Sequence, residues 1–272
     1  MKFKFFTTIS FVCLAIMLTL VGIWAVTDLD FAVGGDITYT APKPQINLQQ
    51  DSKGFYVEMG TYNNPVVWRL VGLNGAKFTD TTAPTSGTCT FILETYVVKY
   101  KEFEETGTYN DYSTSTVRDY LNGDYITELN LTNDATYNAI TAREITDLHT
   151  DIGWALGNVG GGQQYAPPAG TTQYATYDTT PKSTEGADKL WLMSVKEIYT
   201  MVGGGELNAD GTIPSSWSTY YDNLIWNEGH YWLRSPNPHN SNGAFGVDLD
   251  GVWNNDFVGS TYAVRPAFNI VF

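Results

Sequence analysis

The amino-acid sequence predicts an α+β fold of strands, a few short helices and long loops. Three observations carry that expectation. Residues that favour strands gather in short runs of alternating polarity. Helical spacing and helix caps are confined to stretches near residues 113–140 and 194–202. From residue 231 onward, strand-like runs alternate with turns rich in Asn, Asp and Gly.

Taken in order, residues 28–53 read as a tether with a lead-in strand at 31–40, which Pro42 and Pro44 then break. Residues 54–272 read as one domain. Residues 56–59 alternate, and 65–72 form a strand after a turn at Asn63-Asn64. Residues 91–98 are a second strand, rich in β-formers. Ser113 or Ser115 is placed to cap a helix at 116–122, with Val117, Tyr120 and Leu121 on one face. Ile126, Leu129 and Leu131 suggest another helical turn. A third is expected to open at Thr132 or Asn133 and to pack through Ala135, Ala139 and Ile140.

Residues 150–188 show no period and read as a long irregular loop. Residues 189–193 are a short buried strand. Ser194 and Glu197 then match a capping box, opening a helix that runs to about Val202 and stops at the glycines 203–205. Residues 231–234, 244–249 and 263–272 read as a β-meander, with Phe245, Val247 and Leu249 on one face and Asp250-Gly251 as a hairpin turn.

Hydrophobic residues make up 43% of the 272, enough for a real core. With 15 Lys and Arg against 29 Asp and Glu, the net charge is −14, which repels phosphate backbones and excludes nucleic acid as a partner. Lys2 and Lys4 precede an uncharged run from 5 to 27 that ends at Asp28 and Asp30. Residues 1–27 are therefore expected to be a signal peptide or an N-terminal membrane anchor. The run is longer than the roughly 7–15 apolar residues of a signal core and reaches the roughly 20 needed to span a bilayer. Either way the bulk of the chain is expected to be extracytoplasmic, secreted or anchored with its C-terminus outside.

Beyond Cys13, Cys89 stands alone, so an internal disulfide is excluded for the exported part. It reads as a buried strand position, with no basic neighbour in sequence to activate it. His149, His230 and His239 are scattered, and no Gly-x-Ser-x-Gly or His-Glu-x-x-His motif is present. Catalysis has little support in the sequence.

Five blocks occur in order: Val67-Trp68-Arg69-Leu70; Ser115 with Tyr120-Leu121-Asn122; Leu190-Trp191-Leu192-Met193-Ser194 with Glu197; Trp232-Leu233-Arg234-Ser235-Pro236; and Val264-Arg265-Pro266-Ala267-Phe268-Asn269. Together they resemble a family of bacterial exported proteins classed as a domain of unknown function, across about residues 55–270. That family in turn resembles the C-type-lectin-like fold, which formylglycine-generating enzymes also use. The resemblance implies a twisted antiparallel sheet with flanking short helices, and long loops that carry recognition. Formylglycine-generating chemistry needs paired cysteines, which Cys89 alone does not supply.

Trp232, Arg234 and Arg265 are read as structural. The two arginines would bond internal acids or carbonyls, the alternative being a bound carboxylate or sugar. Candidate ligand-binding residues are Trp217, Tyr221, Trp226, Asn237, His239, Asn240, Trp253, Asn255 and Phe257, because aromatic faces among amides suit sugars and peptides. Asp248, Asp250, Asn254 and Asp256 form the densest oxygen set. No cofactor is expected, and calcium is the one ion this set would suit. The same residues also serve as turn formers.

The function expected is a non-catalytic, envelope-associated module that binds a glycan or a protein through its C-terminal loops. An assembly protein using an edge strand near residues 31–40, and an envelope-acting hydrolase, are the alternatives. The membrane is a partner only if the leader stays attached.

Overall fold

The computed structural model describes residues 46–95, 101–108, 110–143, 188–203, 205–206, 209, 230–236, 242–247 and 253–272, with the backbone alone at 253–255. All of them belong to one compact unit, Pro44–Phe272. The leader at 1–27, the expected strand at 31–40 and most of the loop at 150–188 lie outside the described residues, as do Leu249 and the Asp250-Gly251 turn.

The strands are β1 (Gln49–Asp51), β2 (Gly54–Tyr62), β3 (Asn64–Leu73), β4 (Ala76–Lys77), β5 (Thr88–Leu93), β6 (Lys101–Glu102), β7 (Trp191–Leu192), β8 (Tyr231–Pro236), β9 (Gly243–Val247), β10 (Trp253–Phe257), β11 (Thr261–Tyr262) and β12 (Pro266–Val271). The main sheet runs β1-β2-β3-β5-β12-β7, with β4 also paired to β3. A second sheet runs β10-β9-β8, and β11 pairs with β6. Every pairing between these strands is antiparallel. Antiparallel sheets with a few short helices make this an α+β protein.

The β2–β3 hairpin turns at Asn63, whose φ of 64° is tolerated by Asn better than by most residues. β2 alternates as its sequence does, with Phe55, Val57 and Met59 inward. Its register shifts between Glu58 and Thr61. Gly60 sits in that bulge with φ 79°, where a Cβ would lie 2.5 Å from Leu131 Cδ2. The bulge docks the helical segment: Thr61 N donates to Leu129 O at 2.8 Å and Gly60 N to Asp134 Oδ2 at 2.9 Å.

Ser115 caps the helix Thr116–Leu121 by accepting from Arg118 N, and Val117, Tyr120 and Leu121 are buried. Asp124–Glu128 follows. The third helix, Ala135–Asn138, opens at Asp134 and not at Thr132 or Asn133. The Asp134 carboxylate accepts from Thr136 N and Tyr137 N, and its other oxygen holds Gly60. This helix packs through Tyr137, with Ile140 just beyond it, while Ala135 is exposed. The capping box at Ser194 and Glu197 is present. The helix Val195–Glu197 widens into a π-turn at Ile198–Val202 and stops at Gly203.

Two strand expectations need correction. The strand expected at 91–98 starts at Thr88 and ends at Leu93, because Glu94 bends away to meet Arg69 and Lys53. Residues 96–98 lie outside the described set. The C-terminal meander is not one sheet either. β9 pairs with β8 on one side and β10 on the other, whereas β12 inserts between β5 and β7 of the main sheet. The gain is burial, since Phe268 stacks on Phe91 and meets Trp68 edge-on, each at 5.1 Å between centroids. Among the described residues no helix is long and apolar enough to cross a membrane.

Candidate functional site

The two C-terminal blocks meet in the interior. Arg234, in β8, is buried and donates from Nη1 to Leu192 O at 2.5 Å and to Glu197 Oε2 at 2.6 Å. Glu197 Oε1 accepts from Arg143 Nη1 at 2.7 Å, and Oε2 also accepts from Ser194 N at 3.1 Å. One carboxylate thus holds two guanidinium groups and completes a helix cap. Burial lowers the Arg234 pKa well below its ordinary value, and the nearby Arg143 charge adds to that. Ser235 Oγ accepts from Val195 N at 3.0 Å, so the next residue of the block ties the same helix to β8.

Arg265 lies just before β12 and not inside a strand. Its Nε donates to Leu93 O at 2.8 Å, its Nη2 bonds Glu94 O, and its guanidinium sits over the Tyr231 ring at 5.1 Å. Trp232 and Trp191 are fully buried. Trp232 Nε1 donates to Lys101 O at 2.9 Å, fastening the β6–β11 ribbon.

Two further arginines complete this frame. Arg69, on β3, holds Asp51 through two bonds of 2.7 and 2.8 Å and Glu94 through two of 2.6 and 3.0 Å. Arg118 donates to Asp188 Oδ2 at 2.5 Å, to Asp188 Oδ1 at 3.2 Å and to Ser113 O at 2.8 Å, entirely within the interior. The backbones of Asp188 and Arg143 exchange two 3.0 Å bonds, and the Arg143 guanidinium rests over the Trp191 ring at 4.6 Å. Sequence reasoning missed Arg118, Arg143 and Asp188. The available signal was Arg118, a charge beside Val117, Tyr120 and Leu121 on a buried helix.

The recognition candidates divide by position. Because β8–β9 and β9–β10 are both antiparallel, the connection at 237–242 leaves one end of β9 and that at 248–252 leaves the other. Five residues of strand separate those ends by about 14 Å. Asn237, His239, Asn240, Asp248 and Asp250 all lie outside the described residues. On β10, Trp253 pairs with Val247, Asn254 with Gly246 and Asn255 with Phe245, while Asp256 and Phe257 pair with Ala244 and Gly243.

Of the four oxygen-bearing candidates, Asn254 and Asp256 lie on β10, and Asp248 and Asp250 lie outside the described residues. Phe257 is 50% exposed. Trp217, Tyr221 and Trp226 lie outside the described residues, as do the side chains of Trp253, Asn254 and Asn255. Among the described residues no group of three or more His, Cys, Asp or Glu is placed to hold a metal ion.

Cys89 is fully buried in β5, and burial pushes its thiol up to about 11. It is a packing residue of the main sheet.

Comparison with protein families gives a match to a domain of unknown function, DUF6273, over residues 87–271. Comparisons with curated proteins and with solved structures gave no match. The match runs from β5 to β12, covers more than half of the chain and takes in Arg118, Asp188, Arg234 and Arg265. This chain belongs to the DUF6273 family.

Proposed function

We propose that this chain is an exported bacterial module of the cell envelope that binds a glycan or protein ligand without catalysing a reaction. Its scaffold is of the C-type-lectin-like kind, and the connections 237–242 and 248–252 of the C-terminal sheet carry recognition.

The observation behind this reading is the environment of the two motif arginines. Arg234 and Arg265 are 2% and 4% exposed, and their donors meet Leu192 O, Glu197, Leu93 O and Glu94 O. An arginine that captures a ligand anion must present its fork to solvent. These two face inward and hold strands together, which supports a reading in which the motif arginines are scaffold and do not themselves capture a ligand. The half-exposed Phe257, beside the 237–242 end, is the kind of aromatic platform on which a sugar face or a peptide side chain packs.

The test is a binding screen of Pro44–Phe272 against cell-wall preparations, a glycan array and envelope proteins, with and without chelator. Saturable binding that weakens in Phe257→Ala without a change in thermal midpoint is expected. Loss of binding in chelator assigns a calcium-dependent mode. Turnover of any envelope substrate, or binding untouched by changes in both connections, contradicts the proposal.

A further inference from the structure

Asn130-Leu131-Thr132 is the only Asn-x-Ser/Thr triplet in the chain. That pattern is the acceptor for N-linked glycans in exported proteins, where it belongs on a surface turn. We propose that Asn130 carries an N-linked glycan, transferred from a polyprenyl-diphosphate-linked donor as the chain is exported. The inference rests on the exported reading above.

The triplet sits in the turn that follows the helix Asp124–Glu128. Asn130 N donates to Thr127 O at 3.0 Å and Leu131 N to Ile126 O at 2.9 Å, the two bonds that close a helix through a left-handed residue. Asn130 occupies that left-handed place, with φ 54°. The turn therefore accounts for an Asn or a Gly at 130, but it asks nothing of residue 132. Asn130 and Thr132 are both exposed, and neither side chain has a hydrogen-bond partner among the described residues. An idle amide and an idle hydroxyl at this spacing, both facing solvent, are what a glycan acceptor needs and what the fold leaves unused.

The residues on either side fix when transfer takes place. Leu129 and Leu131 are fully buried. Leu129 O accepts from Thr61 N at 2.8 Å, and Leu131 packs against Gly60 in the bulge of β2. A glycan on Asn130 Nδ2 extends into solvent and displaces no packed group. A transferase that drew the folded segment into its groove would have to expose both leucines, each a penalty worth at least about tenfold. Transfer therefore precedes folding.

The step balances on the acceptor and the donor alone. Asn130 Nδ2 attacks C1 of the donor's first sugar, so an N–C1 bond forms and the C1–O bond to the diphosphate breaks. Polyprenyl diphosphate leaves, and the amide proton passes to a base on the transferase.

The experiment expresses the full chain in a bacterium that carries an oligosaccharyltransferase and its polyprenyl-diphosphate-linked glycan. Intact mass and glycopeptide mass spectrometry read the modification, and protease added to spheroplasts reads export. One glycan, at Asn130, is expected. Thr132→Ser should keep it. Thr132→Ala and Asn130→Gly should lose it with the urea midpoint unchanged, because the first side chain is unbonded and Gly accepts the left-handed turn. With purified transferase and donor, a peptide of residues 126–136 should be modified more than about tenfold faster than the folded chain.

An exported chain that gains no glycan overturns this inference and leaves the exported reading standing. A chain that the protease cannot reach overturns both. A glycan that persists in Thr132→Ala, or a folded chain modified as fast as the peptide, overturns the inference too.

Discussion

Replacing Asp188 by Asn should destabilise the protein strongly, because it unpairs a charge in the deepest part of the frame. The Arg118 and Asp188 side chains are 3% and 1% exposed, and two bonds of 2.5 and 3.2 Å join them. Asn keeps the shape and both backbone bonds to Arg143, but removes the negative charge from a buried guanidinium. Breaking such a pair from one side costs about 3–5 kcal/mol, whereas replacing both partners with apolar residues is often near neutral. For a unit of this size each kcal/mol moves the melting temperature by roughly 2–4 °C, so a drop of about 10 °C is expected.

Urea unfolding followed by circular dichroism measures this directly. The double variant Arg118→Met with Asp188→Leu should recover most of the loss, although it also gives up the bond to Ser113 O. A cost below about 1 kcal/mol for Asp188→Asn, or a double variant worse than either single one, would refute the reasoning.

Two further expectations follow from the same frame. A hydrogen bond from Arg69 chiefly lowers the Asp51 pKa, with burial opposing it; at Glu94, burial opposes and the bonds from Lys53 and Arg69 prevail, so that carboxyl is lowered too. The folded state therefore binds fewer protons there than the unfolded chain. That stability is complete above the ordinary carboxylate range and is lost as the pH falls through about 4 and below. The urea midpoint should hold down to about pH 5 and then drop, less steeply in Glu94→Gln; a midpoint that rises on acidification would contradict the assignment. The Cys89 thiol, fully buried and pushed up to about 11, should resist iodoacetamide at about pH 8 in the native protein and react fully once unfolded. Rapid labelling of protein with native circular dichroism would place Cys89 elsewhere.

Much of the local structure was legible because its causes are local. Ser115 and Ser194 stand where caps must, with helix-forming residues behind them, and the alternation at 56–59 orients Phe55, Val57 and Met59 inward. Cys89 between two threonines read as a strand position and is one. The choice of Asp134 over Thr132 or Asn133 as a cap was not legible. It depends on Gly60, 74 residues away, sharing the same carboxylate.

Strand partners and ion pairs depend on distant sequence for the same reason. Alternation says that residues 266–271 form a strand, but not that the strand lies between β5 and β7, where Thr90 Oγ1 donates to Asn269 Oδ1 at 2.9 Å. Composition counts the acids without selecting Asp188 or Glu197 as the partners of Arg118 and Arg234. The sequence by itself determined the class of fold, the helix caps, the inward-facing residues and the importance of the two arginine blocks. Only the tertiary structure decided which carboxylates and carbonyls those arginines hold and where the last strand inserts. Periodicity and capping act over a few residues, whereas burial of charge and the choice of strand neighbours are settled by what the rest of the chain brings alongside.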